Sequence, residues 1–132
     1  MIRIKAEPIH RMVQYTNKSS TDYRKDMDNG WIDAARVGDI PNNECTVFDL
    51  DDEDIAIYNL DGEYFAIEDR CTHDGGDLAG GWVESGCAVC PRHGARFDIR
   101  TGKVMAPPAY EDIHAFPVRV QQGVIQIRDD RE

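Results

Sequence analysis

The sequence predicts an all-β domain, and three observations carry that prediction. From Trp31 onward, turn signals recur about every eight to twelve residues. Between them lie short runs rich in Val, Ile, Tyr and Phe, which suit a pleated, half-buried surface. No stretch sustains the roughly 3.6-residue apolar period of a helix, and neither an internal repeat nor a low-complexity tract interrupts the pattern. With 132 residues and 41% hydrophobic side chains, the chain has enough apolar material for a core, and a single domain is expected.

Residues 1–30 carry six basic and four acidic side chains, against nine and twenty-one in the remainder. That shift, with the polar stretch Asn17-Lys18-Ser19-Ser20-Thr21-Asp22, marks 1–30 as an arm, loosely packed or flexible, although Ile2, Ile4 and Ala6 alternate as an edge strand would. Residues 31–132 are the expected domain. The run Asp49-Leu50-Asp51-Asp52-Glu53-Asp54 reads as a solvated loop. Residues 55–60 and 63–67 flank Asp61-Gly62, a pair that supplies the positive φ angles of a two-residue type I′ turn, so they form a β-hairpin. Strands follow at 87–89, 96–99 and 103–105, the last two joined by a turn containing Thr101-Gly102. Residues 118–120 and 124–127, around Gln121-Gln122-Gly123, make a closing hairpin.

A net charge of −10 repels phosphate backbones and anionic lipid headgroups, so neither nucleic acid nor a membrane surface is an expected partner. No apolar run approaches the roughly 18 residues of a spanning helix, and Arg3, Lys5, Glu7 and Arg11 interrupt any signal-peptide core. A cytoplasmic location follows as the expectation, and in a reducing compartment four cysteines are metal ligands or buried thiols before they are disulfides.

Two short loops carry the chemistry: Cys71-Thr72-His73 after one strand and Cys90-Pro91-Arg92-His93 after another. Each offers one soft thiolate and one borderline imidazole, and glycines follow both. Zinc accepts such donors, but zinc fingers pair like with like, whereas each loop here is mixed. A four-Cys [2Fe–2S] cluster is satisfied by count with Cys45, Cys71, Cys87 and Cys90, yet the spacing differs from the plant-type pattern and leaves both loop histidines unexplained. Two Cys on one iron and two His on the other use every feature of both loops.

The segments Cys71-Thr72-His73-Asp74-Gly75-Gly76 and Cys90-Pro91-Arg92-His93-Gly94-Ala95-Arg96-Phe97-Asp98 resemble the two cluster-binding boxes of Rieske-type [2Fe–2S] ferredoxins, and the resemblance runs from Trp31 to Ile127. It implies a three-sheet β domain with a cluster-binding subdomain at its tip. A third, proline-bearing loop, in the place of Ala106-Pro107-Pro108-Ala109, would cover the cluster. The implied cofactor is one Rieske-type [2Fe–2S] cluster, with Cys71 and Cys90 on one iron and His73 and His93 on the other. Formal charges of two ferric ions, two sulfides and two thiolates sum to zero, so this cluster accepts an electron more readily than a four-thiolate one.

The function implied is that of a soluble, monomeric electron carrier, not itself an enzyme. It would pass electrons from a flavin-containing reductase to an iron-dependent oxygenase, as in ring-hydroxylating dioxygenase systems. Stand-alone ferredoxins of iron–sulfur assembly, and non-catalytic Rieske-like subunits such as the small subunit of nitrite reductase, are the alternatives. The oxygenase itself is excluded, because only His10 and His114 remain for a mononuclear site of two His and a carboxylate. High-potential family members carry a serine and a tyrosine where Ala95 and Phe97 stand, and a disulfide at the positions of Gly76 and Arg92. Their absence implies a potential near the low end of the roughly −150 to +300 mV range. Cys87 reads as a buried strand residue and Cys45 as a small apolar side chain, with a disulfide between them left open. His114 reads as a structural histidine and His10 as a surface residue of the arm. Arg92 and Arg96 read as holders of loop carbonyls or carboxylates.

Overall fold

The computed structural model describes residues 3–4 and 30–131. They contain twelve strands and no helix: β1 (Arg3–Ile4), β2 (Trp31–Arg36), β3 (Glu44–Leu50), β4 (Glu53–Leu60), β5 (Glu63–Glu68), β6 (Trp82–Glu84), β7 (Cys87–Val89), β8 (Arg96–Asp98), β9 (Val104–Ala106), β10 (Ala115–Phe116), β11 (Val118–Gln121) and β12 (Val124–Arg128). Three sheets result, with strand orders β1-β3-β4-β5-β10, β11-β12-β2 and β6-β7-β8-β9. No helix among the described residues is long and apolar enough to cross a membrane.

The hairpin at Asp61-Gly62 forms in the expected register, with Leu60 opposite Glu63 and φ of 53° and 92° at the two turn residues. The closing hairpin has the same geometry at Gln122-Gly123, with Gln121 opposite Val124. The acidic run differs from its expectation as a loop. Asp49 pairs with Asp54 and Leu50 with Glu53, so Asp51 and Asp52 are the two left-handed residues of a tight turn between β3 and β4. Aspartate tolerates that conformation, which lets a charged run close a hairpin. Arg3–Ile4 pairs in parallel with β3, the edge-strand alternative for that segment. Residues 5–29 of the expected arm, with His10, lie outside the described residues.

The central strands of the five-stranded sheet, β3 to β5, pack on both faces. Ile55 and Ile57 of β4 join Phe48, Leu50, Ala66 and Phe116, and pack with Ile125 and Ile127 of the three-stranded sheet. Ala56, Tyr58 and Leu60 join Cys45, Val47 and Ile67, and meet Ala88 and Phe97 of the four-stranded sheet together with Cys71 and Cys90. Burial on both sides is why 55–60 reads as one apolar run where a half-exposed strand would alternate. In the three-stranded sheet, Gln126 Nε2 donates to Asp33 Oδ1 at 2.6 Å, and the guanidinium groups of Arg119 and Arg128 lie 4.6 and 4.8 Å from the centre of the Trp31 ring.

The four-stranded sheet is built entirely from the chain between β5 and β10, and it carries the loops singled out above. Its strands match the expected 87–89, 96–99 and 103–105 to within one residue. β6, which turns into β7 through Ser85 and Gly86 at φ of 51° and 77°, is an addition to the expected set.

Candidate metal centre

The two loops close in the same way. Cys71 N donates to Gly76 O at 2.7 Å, and Gly75 N donates back to Cys71 O at 2.7 Å. In the second loop Cys90 N donates to Ala95 O at 2.8 Å and Gly94 N to Cys90 O at 3.0 Å. Each return therefore passes through the fourth residue after the cysteine, and that residue is left-handed in both: Gly75 at φ 76° and Gly94 at φ 78°. A side chain there would be strained, so the glycines permit the turn that points each cysteine inward.

Cys71 and Cys90 are fully buried, as are Leu78, Ala79, Ala95 and Phe97 around them. Burial pushes the Cys71 thiol pKa up, while the backbone N–H groups of His73 and Asp74 favour its thiolate. The rings of His73 and His93 stand perpendicular, 5.2 Å apart, and the His93 side chain is 57% exposed. Cys71 Sγ, Cys90 Sγ and a carboxylate oxygen of Asp74 lie within 4.8 Å of one another, and neither imidazole belongs to that group. His93 Nδ1 stands 3.7 Å from Asp74 Oδ2, so that imidazole borders the group, and it is the mixed thiol and imidazole pair in each loop that suits two unlike irons better than one structural zinc. The apolar surroundings suit a core that is neutral when oxidised. Two inward thiols and two outward imidazoles thus fit a two-iron cluster of mixed ligation.

Of the remaining sequence candidates, Arg92 lies within the second loop and the others outside the pair. Cys45 and Cys87 are buried and not disulfide-bonded, so the bridge left open between them is absent. His114 Nε2 lies 2.6 Å from Asp130 Oδ1 and its ring packs on Phe116, as expected of a structural histidine. Arg96 pairs with Glu84. Arg92 holds the Asp74 carboxylate and the Asp77 carbonyl, and its guanidinium keeps the Asp74 carboxyl well below the usual carboxylate range. The proline-bearing segment runs beside the first loop: Thr72 Oγ1 donates to Glu111 O at 2.7 Å, and Ala109 is buried in the cluster that includes Cys71 and Cys90.

The positioning roles of two aspartates escape a reading of the sequence. Asp69 Oδ1 accepts from Leu78 N and Ala79 N, both at 2.7 Å, and so fixes the end of the first loop. Asp74 places its carboxylate against the two sulfurs. Neither carries a signal in spacing, because an aspartate in a turn-rich segment looks the same whether or not it holds distant backbone.

The Rieske [2Fe-2S] domain model matches residues 30–117. The ferredoxin component of the naphthalene 1,2-dioxygenase/salicylate 5-hydroxylase systems of Ralstonia sp. is 33% identical over 102 residues, covering 77% of this chain and 98% of the relative. The biphenyl dioxygenase ferredoxin subunit of Pseudomonas sp. strain KKS102 is 37% identical over 89 residues, covering 67% and 82%. Among solved structures, the ferredoxin of carbazole 1,9a-dioxygenase from Nocardioides aromaticivorans IC177 superposes with a TM-score of 0.72 at 27% identity, covering 74% of this chain and 96% of that one. These relatives are electron-transfer components rather than catalytic subunits. With both mixed Cys/His loops inside the matched span and the three-sheet fold shared, the chain belongs to the Rieske [2Fe–2S] family, whose cofactor is a Rieske-type cluster.

Proposed function

We propose that this chain is a one-electron carrier between a reductase and an iron-dependent oxygenase, with Cys71 and Cys90 holding one iron of the cluster and His73 and His93 the other. The split donor set carries this reading: the thiols sit in the core, while the two imidazoles 5.2 Å apart stand at the surface. The relatives' names, ferredoxin components of dioxygenase systems, support it over a role in iron–sulfur assembly. The presence of all four donors weighs against a non-catalytic subunit. A flavin in the reductase, a monomeric state, a cytoplasmic location and a division into a 1–30 arm and a 31–132 domain belong to the same proposal.

When bound, the cluster supplies a centre that takes up and releases one electron. The protein does the rest. Leu78, Ala79, Ala95 and Phe97 keep water from the sulfurs. The N–H groups of His73 and Asp74 favour a thiolate at Cys71. His73 and His93 bring the redox centre to the surface, so that a partner needs to approach only an imidazole edge. The matched backbone bonds of the two loops hold the donors in one geometry.

Iron and acid-labile sulfide analysis tests the assignment. Two irons and two sulfides per chain are expected for the native protein and for Cys45→Ser and Cys87→Ser, with loss in Cys71→Ser and Cys90→Ser. Zinc in the native protein, or iron loss in either of the first two variants, refutes it. Oxidation of the reduced protein by a ring-hydroxylating oxygenase in single turnover tests the carrier role.

A further inference from the structure

Asp74 and Arg92 belong to different ligand loops and meet across the gap between them. The guanidinium grips the carboxylate with two bonds: Nε donates to Oδ2 at 2.6 Å and Nη2 to Oδ1 at 3.2 Å. Nη2 also donates to the Asp77 carbonyl at 3.0 Å, and Nη1 stands 3.8 Å from the Asp77 carboxylate. The group lies flat over Gly76, where a Cβ would come within 2.5 Å of Arg92 Cζ. On its other side, a carboxylate oxygen of Asp74 is within 4.8 Å of both cysteine sulfurs. The Arg92 and Asp74 side chains are only 34% and 21% exposed, so water screens neither charge fully.

A full negative charge is thus held within 4.8 Å of the sulfurs of the proposed cluster, where an arriving electron adds negative charge, and a full positive charge is bonded directly to it. The carboxylate opposes that arrival and the guanidinium favours it. Resting on the cluster reading above, we infer that Asp74 and Arg92 form an electrostatic tuning pair: Arg92 offsets the resistance of Asp74 to reduction, and their bidentate contact sets the reduction potential as well as tying the loops together. Gly76 belongs to the device because only a residue without a Cβ lets the guanidinium lie there.

The test is protein-film voltammetry on the cluster-bearing chain, with iron content and the electron paramagnetic resonance spectrum of the reduced form recorded on each variant. Arg92→Gln is expected to lower the equilibrium constant for reduction about tenfold, or about 59 mV for one electron. Asp74→Asn is expected to raise it by a similar factor, and the double variant to return to within about threefold of native. Gly76→Ala changes no charge but displaces the guanidinium, and is expected to shift the potential in the direction of Arg92→Gln.

A clamp without a tuning role behaves differently. Both single variants would then lose iron faster while their potentials stayed put or moved the same way, and that result overturns the inference. Should Arg92→Gln lose its cluster, Arg92→Lys and Asp74→Asn carry the test. The lysine variant must stay near the native potential while the asparagine variant rises, and any other pattern overturns the inference. A native chain without iron and sulfide would refute the cluster reading and this inference with it. Intact clusters with unmoved potentials would refute the inference alone.

Discussion

Removing the Asp69 carboxylate probes how the first ligand loop is held. Asp69 leaves β5 two residues before Cys71, and its Oδ1 accepts from Leu78 N and Ala79 N at 2.7 Å each. Leu78 and Ala79 are fully buried, so water does not readily replace the lost acceptor. Each buried N–H left without a partner costs about 1–3 kcal/mol, which gives about 3 kcal/mol for Asp69→Ala after allowing for the desolvation of the removed carboxylate. In a chain of this size, about 3–4 °C of melting temperature accompanies each kcal/mol, so a drop of about 10 °C is expected. Asp69→Asn keeps an oxygen for both donors and loses only the charge assistance, about 1 kcal/mol or about 4 °C. Thermal unfolding of the cluster-bearing protein, followed by far-ultraviolet circular dichroism and visible absorbance on one sample, measures both. Iron release to a chelator should accelerate in the same order. An alanine variant within about 3 °C of native, or an asparagine variant as damaged as the alanine one, would refute the acceptor role.

Three further outcomes follow from other parts of the molecule. Burial raises the Cys87 thiol pKa above 9.0, so the folded state holds that proton more tightly than the unfolded chain does; its contribution to stability is full below pH 9.0 and is lost as pH rises through the folded-state value. Cys87→Ala should therefore flatten the alkaline fall in denaturation midpoint, and an unchanged profile would contradict the shift. Ala95 and Phe97 are fully buried and donate no side-chain hydrogen bond toward the sulfurs, which places the native potential near the low end of the roughly −150 to +300 mV range. Ala95→Ser with Phe97→Tyr should raise it, and voltammetry showing no upward movement would rule out hydrogen bonding as the controlling factor. Arg131 pairs with Asp129 at 2.9 Å and Glu53 at 2.7 Å and covers the Phe116 ring at 4.8 Å, fastening the end of the chain to the large sheet. Arg131→Met should cost about 1–2 kcal/mol by urea denaturation, and a midpoint equal to native would show the network contributes nothing.

What the sequence determined by itself is local. Asp61-Gly62 and Gln122-Gly123 require left-handed backbone, and each sits between short β-favouring runs, so both hairpins could be located before any contact was known. The mixed loops were legible for the same reason: Cys71 with His73 and Cys90 with His93 are neighbours in the chain, and their chemistry does not depend on what packs beneath them. The turn at Asp51-Asp52 was hidden because its residues carry charge as well as tolerance for positive φ, and composition alone favours the charge. Only the tertiary structure decided the pairings that join distant residues. Asp33 meets Gln126, separated by 93 positions, and Arg92 meets Asp74, separated by 18. A hydrogen bond needs its partners within about 3 Å, and that proximity comes from the packing of three sheets; residue spacing along the chain does not encode it.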